Sequence, residues 1–297
     1  MIRCSVILPA AGRGSRFASG VGAKAGVAAA SKIEWELEGR AVFLRAIDLF
    51  HGRPEVEQIV LAVAPSRFDE FMFRWGEALK FLGVEVVRGG KTERWETVAQ
   101  ALKHVREGAT HVAVHDAARP TTPKAVIDRV FAAAETSDAV IPGLPVADTL
   151  KRLTDGAAPK KSRDRIDDIL GVVEPEAEAT LGTTDPAPND REIGVVDRTV
   201  TREGLVTVQT PQVFGVQTLR RAYGTLDTLG ASTEVTDDAG LVEAMGGEVV
   251  VVAGDPGNLK LTRPEDAEML SALFRFRDAE AKRADAVKAL FGDDEED

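Results

Sequence analysis

Short apolar runs rich in β-branched residues alternate along this chain with longer segments of helical period, and no other feature restricts the fold as much. Parallel strands need a crossover between them, so such alternation predicts an α/β fold with a mainly parallel sheet flanked by helices. The runs Ser5–Leu8, Gln58–Val63, Val84–Val87, His111–Val114, Ala139–Ile141 and Glu248–Val252 predict strands. Helices are predicted over Ala41–Phe50, Ser66–Leu79, Thr92–Arg106, Pro123–Glu135, Gln217–Leu226, Thr236–Met245 and Arg263 to about Ala279. Thr262 is the expected N-cap of the last, with Pro264, Glu265 and Asp266 suited to its first turn; Thr236-Asp237-Asp238 opens its helix with the same chemistry.

The net charge of −11 excludes a general nucleic-acid binder, which needs a basic surface to displace counterions, but leaves room for a small polyanionic substrate held by a local basic cluster. Cys4 is the one cysteine, so there is no internal disulfide and no Cys-rich zinc site, and a reducing compartment is expected. After Met1-Ile2-Arg3 the apolar stretch is short and runs into Pro9 rather than into a secretory cleavage pattern, and no apolar run approaches the ~20 residues of a membrane helix. The expectation is a cytoplasmic protein with no membrane partner.

One stretch breaks the rhythm. Residues 155–194 carry Lys160-Lys161-Ser-Arg163-Asp-Arg165 and a Pro-rich run at 183–190, with little core signal. A structureless connection of that length is uncommon inside a compact domain. It reads either as a partly disordered loop or as an inserted arm that packs on a neighbouring subunit. The core is accordingly expected over 1–154 and 195–275, with a helical extension and acidic tail over 276–297.

The first strand runs directly into Pro9-Ala10-Ala11-Gly12-Arg13-Gly14-Ser15-Arg16. Glycines there let the backbone turn tightly and aim N–H groups at an anion, and arginine grips phosphate in bidentate fashion. A Gly-rich turn with solvent-facing arginines is the plainer reading. A dinucleotide fingerprint fits poorly because its third glycine position is Phe17, and no Gly-Lys-Ser/Thr follows to make a Walker loop.

Three further segments carry chemistry-bearing residues. His115-Asp116-Ala-Ala-Arg119-Pro120 follows a strand, where ligands of open α/β sheets bind, so Asp116 either holds a divalent metal or caps a turn with Arg119 as its partner. His115 reads as orienting that loop rather than as catalytic. Gly89-Gly90 through Arg94 to Thr97 joins a strand to a helix; its N–H groups and the Thr97 hydroxyl either read a base edge or simply make a turn and N-cap. Lys260 alternates with Leu259 and Leu261, so it either points into a cleft or lies on the surface. Arg202 is equally ambiguous when read alone.

Taken together these segments resemble the 2-C-methyl-D-erythritol 4-phosphate cytidylyltransferase family. The matching pieces are Pro9 to Arg16, Gly89-Gly90 through Arg94 and Thr97, Val114 to Pro120, Pro145 to Lys151, Gln209-Thr-Pro-Gln-Val-Phe214, Thr236 to Ala239 and Asn258 to Asp266, in the family's order. The resemblance implies a Rossmann-like nucleotidyltransferase fold with a protruding arm, CTP and a polyol phosphate as substrates, Mg²⁺ as cofactor, and a homodimer. It implies that Arg16, Lys32, Arg202 and Lys260 are catalytic and that Asp116 binds the metal. Pro9, Ala10, Ala11, Gly12, Gly14, Gly89, Gly90, Arg94 and Thr97 would hold CTP, and Arg119, Thr149, Arg202 and Thr236 the acceptor.

The family places a Pro-Lys-Gln-aromatic run after the first loop. Here that region is longer, and both Lys24 and Lys32 are candidates; Lys32 fits the spacing to Gly39-Arg-Ala-Val, although the usual proline and glutamine are absent. The implied reaction is CMP transfer from CTP to 2-C-methyl-D-erythritol 4-phosphate. The alternatives are a cytidylyltransferase for another polyol phosphate, such as ribitol 5-phosphate, and a non-catalytic nucleotide-binding protein.

Overall fold

Cys4–Ala10 forms strand β1, and its side chains show how the layers are built. Cys4, Val6, Leu8 and Ala10 join one apolar cluster while Ile7 joins a second. Successive strand side chains point to opposite faces, so a strand apolar at nearly every position is covered on both sides. The computed structural model describes residues 1–12, 17, 31–154, 194–226 and 236–291.

Among these residues β2 (Glu36–Leu37) and β3 (Arg40–Ala41) make a small antiparallel ladder, followed by α1 (Val42–Asp48), β4 (Val56–Val63), α2 (Phe68–Phe81), β5 (Val84–Arg88) and α3 (Arg94–Leu102). Next come β6 (His111–Val114), α4 (Lys124–Ala134), β7 (Ala139–Pro145), β8 (Leu150–Leu153), β9 (Val196–Val200), β10 (Val206–Val208) and β11 (Gln212–Gly215). The chain continues through α5 (Val216–Gly224), α6 (Asp238–Ala244), β12 (Val250–Ala253) and α7 (Pro264–Phe291).

The main sheet runs β10-β7-β11-β6-β1-β4-β5, with β12 also on β7. β1 is parallel to β4 and β6, β5 to β4, and β12 to β7, whereas β11 lies antiparallel between β6 and β7. Residues of α1, α2 and α4 pack in the first cluster and residues of α3, α5 and α6 in the second. Fully burying a Leu, Ile, Val or Phe contributes about 1.5–3 kcal/mol, so these two layers supply most of the driving force for the sheet. A third, smaller cluster gathers Phe17, Leu37, Val42, Ala118, Leu261 and Leu270, tying α7 to β2 and to the loop after β6.

The chain divides into two compact units, one of Met1–Leu144 with Thr207–Asp297 and one of Pro145–Val206. The second contains the antiparallel hairpin β8–β9, in which Leu150 faces Val200 and Lys151 faces Thr199, with Lys151 Nζ donating to Thr199 Oγ1 at 2.7 Å. Of the 155–194 excursion, all but Gly194 lies outside the described residues.

Six strands escape the sequence reading. β2 and β3 are only two residues long each. β8, β9 and β10 are largely exposed and carry Lys151, Arg152, Asp197 and Arg198, so no apolar run marks them. β11 is buried throughout but only four residues long. α7 runs on past Ala279 to Phe291, within the stretch expected as a helical extension, through charged residues and alanines that favour helix. One correction concerns its start, where Asp266 carries the cap: its carboxylate accepts from the N–H groups of Thr262 and Arg263 at 2.7 and 2.8 Å. The other expected cap holds, since Asp237 accepts from the Gly240 N–H at 3.0 Å. Among the described residues no helix is long and apolar enough to cross a membrane.

Candidate active site

β1 and β6 are adjacent and parallel, so Ala10 and Val114 end on the same edge of the sheet. That is the edge where open α/β sheets bind ligands. A pocket there is lined by Pro9 to Gly12 from β1 and its loop, and by Lys32 and Ile33. The loop after β5 adds Gly90, Thr92, Glu93, Arg94 and Thr97; the loop after β6 adds Asp116 to Ala118, and Lys260 completes the wall. Ten of the residues singled out in the sequence therefore meet in one place: Pro9, Ala10, Ala11, Gly12, Lys32, Gly90, Arg94, Thr97, Asp116 and Lys260.

Asp116 is its electrostatic centre. Lys260 Nζ donates to Oδ2 at 2.6 Å, Arg94 Nε to Oδ1 at 3.2 Å, and Arg119 Nε lies 3.7 Å from Oδ2. Burial alone would push this carboxyl up; the charges of Arg94, Lys260 and Arg119 outweigh burial and hold it well below the usual carboxylate range. Arg94 is shared with a second buried carboxylate, since its NH1 donates to Asp238 Oδ2 at 2.7 Å, and Asp238 also accepts from Tyr223 Oη at 2.5 Å. Burial would lower the Arg94 pKa, but Asp238 and Asp116 raise it far above its ordinary value. Burial and the Asp238 charge likewise push the Tyr223 phenol well up.

Beneath Asp116 a chain of hydrogen bonds fixes the loop. The Asp116 N–H donates to Thr210 Oγ1 at 3.1 Å, and Thr210 Oγ1 lies 3.0 Å from His115 Nδ1. His115 Nε2 lies 3.0 Å from the Arg119 carbonyl. A carbonyl only accepts, so Nε2 carries the proton and Nδ1 accepts from the threonine hydroxyl. Burial drives the His115 pKa down to about 4, which keeps this tautomer neutral. His115 thus orients the loop, as its position in the sequence suggested. Asn258 closes the network, donating to the Thr210 carbonyl at 2.9 Å and accepting from Thr122 Oγ1 at 2.8 Å. Arg119, expected at the acceptor, is largely buried with NH1 on the Asn258 carbonyl at 2.8 Å.

The loop after β5 is tight. A Cβ at Gly90 would sit 2.3 Å from Glu96 Cβ and 2.8 Å from Thr97 N, and one at Gly89 2.8 Å from Thr97 Cγ2. The N–H groups expected to read a base are engaged within the protein: Gly89 N–H donates to the Val63 carbonyl at 2.8 Å and Gly90 N–H to Thr97 Oγ1 at 3.1 Å. Lys91 and Thr92 N–H both go to Glu96 Oε2, at 2.9 and 3.0 Å.

The remaining expected residues fall into three groups. Thr236 is exposed ahead of α6. Thr149 and Arg202 belong to the second unit, where the Arg202 guanidinium donates to the Ala147 carbonyl. Gly14, Arg16 and Lys24 lie outside the described residues. The sequence reading missed Asp238 and Tyr223; the Thr-Asp-Asp run marked a helix start, but nothing local told which aspartate turns inward.

Three cations around one ionised carboxylate, at the carboxyl edge of a mainly parallel sheet, suit a polyphosphate, and fold and site together define a nucleotidyltransferase of Rossmann-like architecture. A profile of the family described as 2-C-methyl-D-erythritol 4-phosphate cytidylyltransferase matches residues 4–175 and 154–276. A protein of that name from Acidobacterium capsulatum is 34% identical over 277 residues, covering 93% of this chain and 99% of its own. One from Frankia casuarinae is 35% identical over 273 residues, covering 91% and 81%. The crystal structure of the enzyme of that name from Thermus thermophilus superposes with a TM-score of 0.62 at 28% identity, over 93% of this chain and 100% of that one. This chain belongs to the 2-C-methyl-D-erythritol 4-phosphate cytidylyltransferase family.

Proposed function

We propose that this chain transfers CMP from CTP to 2-C-methyl-D-erythritol 4-phosphate, releasing pyrophosphate as a step of isoprenoid biosynthesis. The observation that carries the reading is the set of Arg94, Arg119 and Lys260 around Asp116, of which Arg94, Lys260 and Asp116 itself line the same pocket as Lys32. A phosphate oxygen of the acceptor attacks the α-phosphorus of CTP; the new P–O bond forms as the bond to the β-phosphate oxygen breaks. The attacking phosphate is already ionised near neutral pH, so no general base is required. What the reaction needs is two anions held together and the added charge stabilised, which positioned cations do well.

Lys32 and Lys260 are assigned to the transferred and leaving phosphates, with Arg16 from the first loop gripping the triphosphate. Thr149, Arg202, Thr236 and Arg119 keep their assignment to the acceptor. The loop after β5 has its amides engaged, so its carbonyl oxygens are the groups left to accept from the cytosine amino group, a donor that uracil lacks. Asp116 fits Mg²⁺: its carboxylate stays ionised, and Mg²⁺ takes one or two carboxylates while phosphates and water fill its shell. Among the described residues no group of three or more His, Cys, Asp or Glu is placed to hold a metal ion. When bound, Mg²⁺ neutralises phosphate charge and aligns the leaving group. The same reading makes the protein a cytoplasmic homodimer, supported by the exposed Leu153, Val195, Val196, Leu205 and Val206 of the second unit.

The test is pyrophosphate release from CTP with each of a panel of acceptors. Release with 2-C-methyl-D-erythritol 4-phosphate, and little with ribitol 5-phosphate, is the expected result. Tight CTP binding with release from neither would overturn it in favour of a non-catalytic binder.

A further inference from the structure

Lys32, Ile33 and Glu34 form one 3₁₀ turn, in which the Glu34 N–H donates to the Ser31 carbonyl at 2.8 Å and the Trp35 N–H to the Lys32 carbonyl at 3.3 Å. Successive residues of such a turn point about 120° apart, so one side can face a ligand while the next faces the interior. Lys32 and Ile33 line the pocket. The Glu34 side chain is 1% exposed and turns inward instead.

Its partners come from one helix and the turn before it. Arg67 NH1 donates to Oε2 at 2.7 Å, Trp75 Nε1 donates to Oε1 at 3.2 Å, and Arg74 NH1 lies 3.8 Å from Oε1. Trp75 is itself seated edge-on against Phe43, with ring centroids 5.1 Å apart. Taking a carboxylate out of water is costly unless it is paired, and a well-packed apolar residue would often serve stability as well or better. The turn is also anchored by Ile33 in the core and by the Val42 N–H, which donates to the Trp35 carbonyl at 2.9 Å, but Ser31 makes no side-chain cap and stands where the family pattern has a proline, whose ring would have restrained the backbone.

We infer that Glu34, clamped by Arg67 and Trp75, is a positioning residue that fixes the backbone of Lys32 and thereby aims its ammonium into the pocket. The inference rests on the reading of Lys32 as a cation for the transferred phosphate. Glu34 touches neither nucleotide nor acceptor; it acts through the residue two places before it. Misplacing a reacting-centre group by about 1 Å costs up to ~10²-fold in rate, and such a loss falls on turnover more than on ground-state affinity when the group works mainly in the transition state.

The experiment is a double-mutant cycle on pyrophosphate release. Glu34→Gln is expected to lower kcat on the order of 10-fold with KM for CTP within about twofold, and to have no further effect in a Lys32→Ala background. Glu34→Asp, which retains the charge, is expected to recover part of the loss. Losses that multiply in the Lys32→Ala background, or no loss in the single variant, would overturn the inference. Trp75→Phe keeps the ring against Phe43 and removes only the N–H, so it carries the same cycle should Glu34→Gln prove insoluble. Wild-type protein assayed alongside separates the two readings: no release by the wild type refutes the proposed function, whereas wild-type release with an additive cycle refutes only the role of Glu34.

Discussion

Lys260 Nζ sits 2.6 Å from Asp116 Oδ2, joining the last loop before the C-terminal helix to the loop after the central strand β6. Both side chains line the pocket. On the proposed function Asp116 would hold the Mg²⁺ that accompanies the triphosphate and Lys260 would bear on its phosphate oxygens, so the ion pair would keep both charges ordered until the ligand binds.

Removing either charge has a different signature. Lys260→Ala is expected to lower turnover by roughly 10²–10³, equivalent to about 3–4 kcal/mol of transition-state stabilisation. Asp116→Asn is expected to raise the Mg²⁺ concentration needed for half-maximal rate. Steady-state pyrophosphate release across a Mg²⁺ titration measures both. Unchanged Mg²⁺ dependence in Asp116→Asn would remove Asp116 from the metal site.

Lys32 lines the pocket, and Lys24 is the other lysine in the stretch after the first loop. Lys32→Ala is expected to reduce kcat by a factor comparable to that of Lys260→Ala, while Lys24→Ala stays within a few-fold of wild type. The reverse ranking would transfer the role to Lys24.

The legible parts of the site are those that follow a strand. Pro9 to Gly12, Gly90 and Asp116 come directly after apolar runs that announce β1, β5 and β6, and a parallel sheet brings such ends to one edge. The partners of these residues were not legible. Arg94 and Asp238 are 144 residues apart, and nothing near Asp238 distinguishes it from the helix cap Asp237 beside it. Glu34, Glu36 and Glu38 alternate along the sequence, yet the Glu34 side chain is buried while Glu36 is exposed. Burial of single charged residues is a product of tertiary packing, which periodicity does not encode. The residues proposed for the acceptor are less legible still, because Thr149 and Arg202 flank exposed strands that carry no apolar signal.

His115 gives the fold an acid limit. Its pKa is lowered to about 4 in the folded protein against 6.5 for the free group, so the unfolded chain binds the extra proton first. The folded state then loses stability as pH falls from above 6.5 towards 4, by about 3 kcal/mol in all. His111, half-buried and also lowered by burial, adds in the same direction. Asp116 has the opposite kind of shift: its depressed pKa supplies stability above the ordinary carboxylate range and loses it only at lower pH, outside this window. Urea midpoints measured from about pH 7 to about pH 4 should fall for wild type and fall less for His115→Gln. An equal fall in both would place the acid sensitivity elsewhere.

Asp237 and Asp238 are neighbours with different work, and their substitutions should separate cleanly. Asp237 caps α6 through the Gly240 N–H and also accepts from Gln212 Nε2 at 2.7 Å, so Asp237→Ala is expected to cost roughly 1–2 kcal/mol. Asp238 is 1% exposed and bonded to both Arg94 and Tyr223. Asp238→Asn leaves the part-buried Arg94 with Asp116 as its remaining carboxylate partner; a fully buried pair broken in this way costs about 3–5 kcal/mol, and the exposure of Arg94 brings this down to about 2–4 kcal/mol. Tyr223→Phe, which removes one donor and keeps the ring, is expected to cost about 1–3 kcal/mol. Urea unfolding at neutral pH ranks the three variants. Asp238→Asn should also slow turnover, because Arg94 then bears on Asp116 alone and shifts the charge offered to the triphosphate. If Asp238→Asn costs no more stability than Asp237→Ala, the Arg94 bridge between the two carboxylates is not what holds this corner of the site.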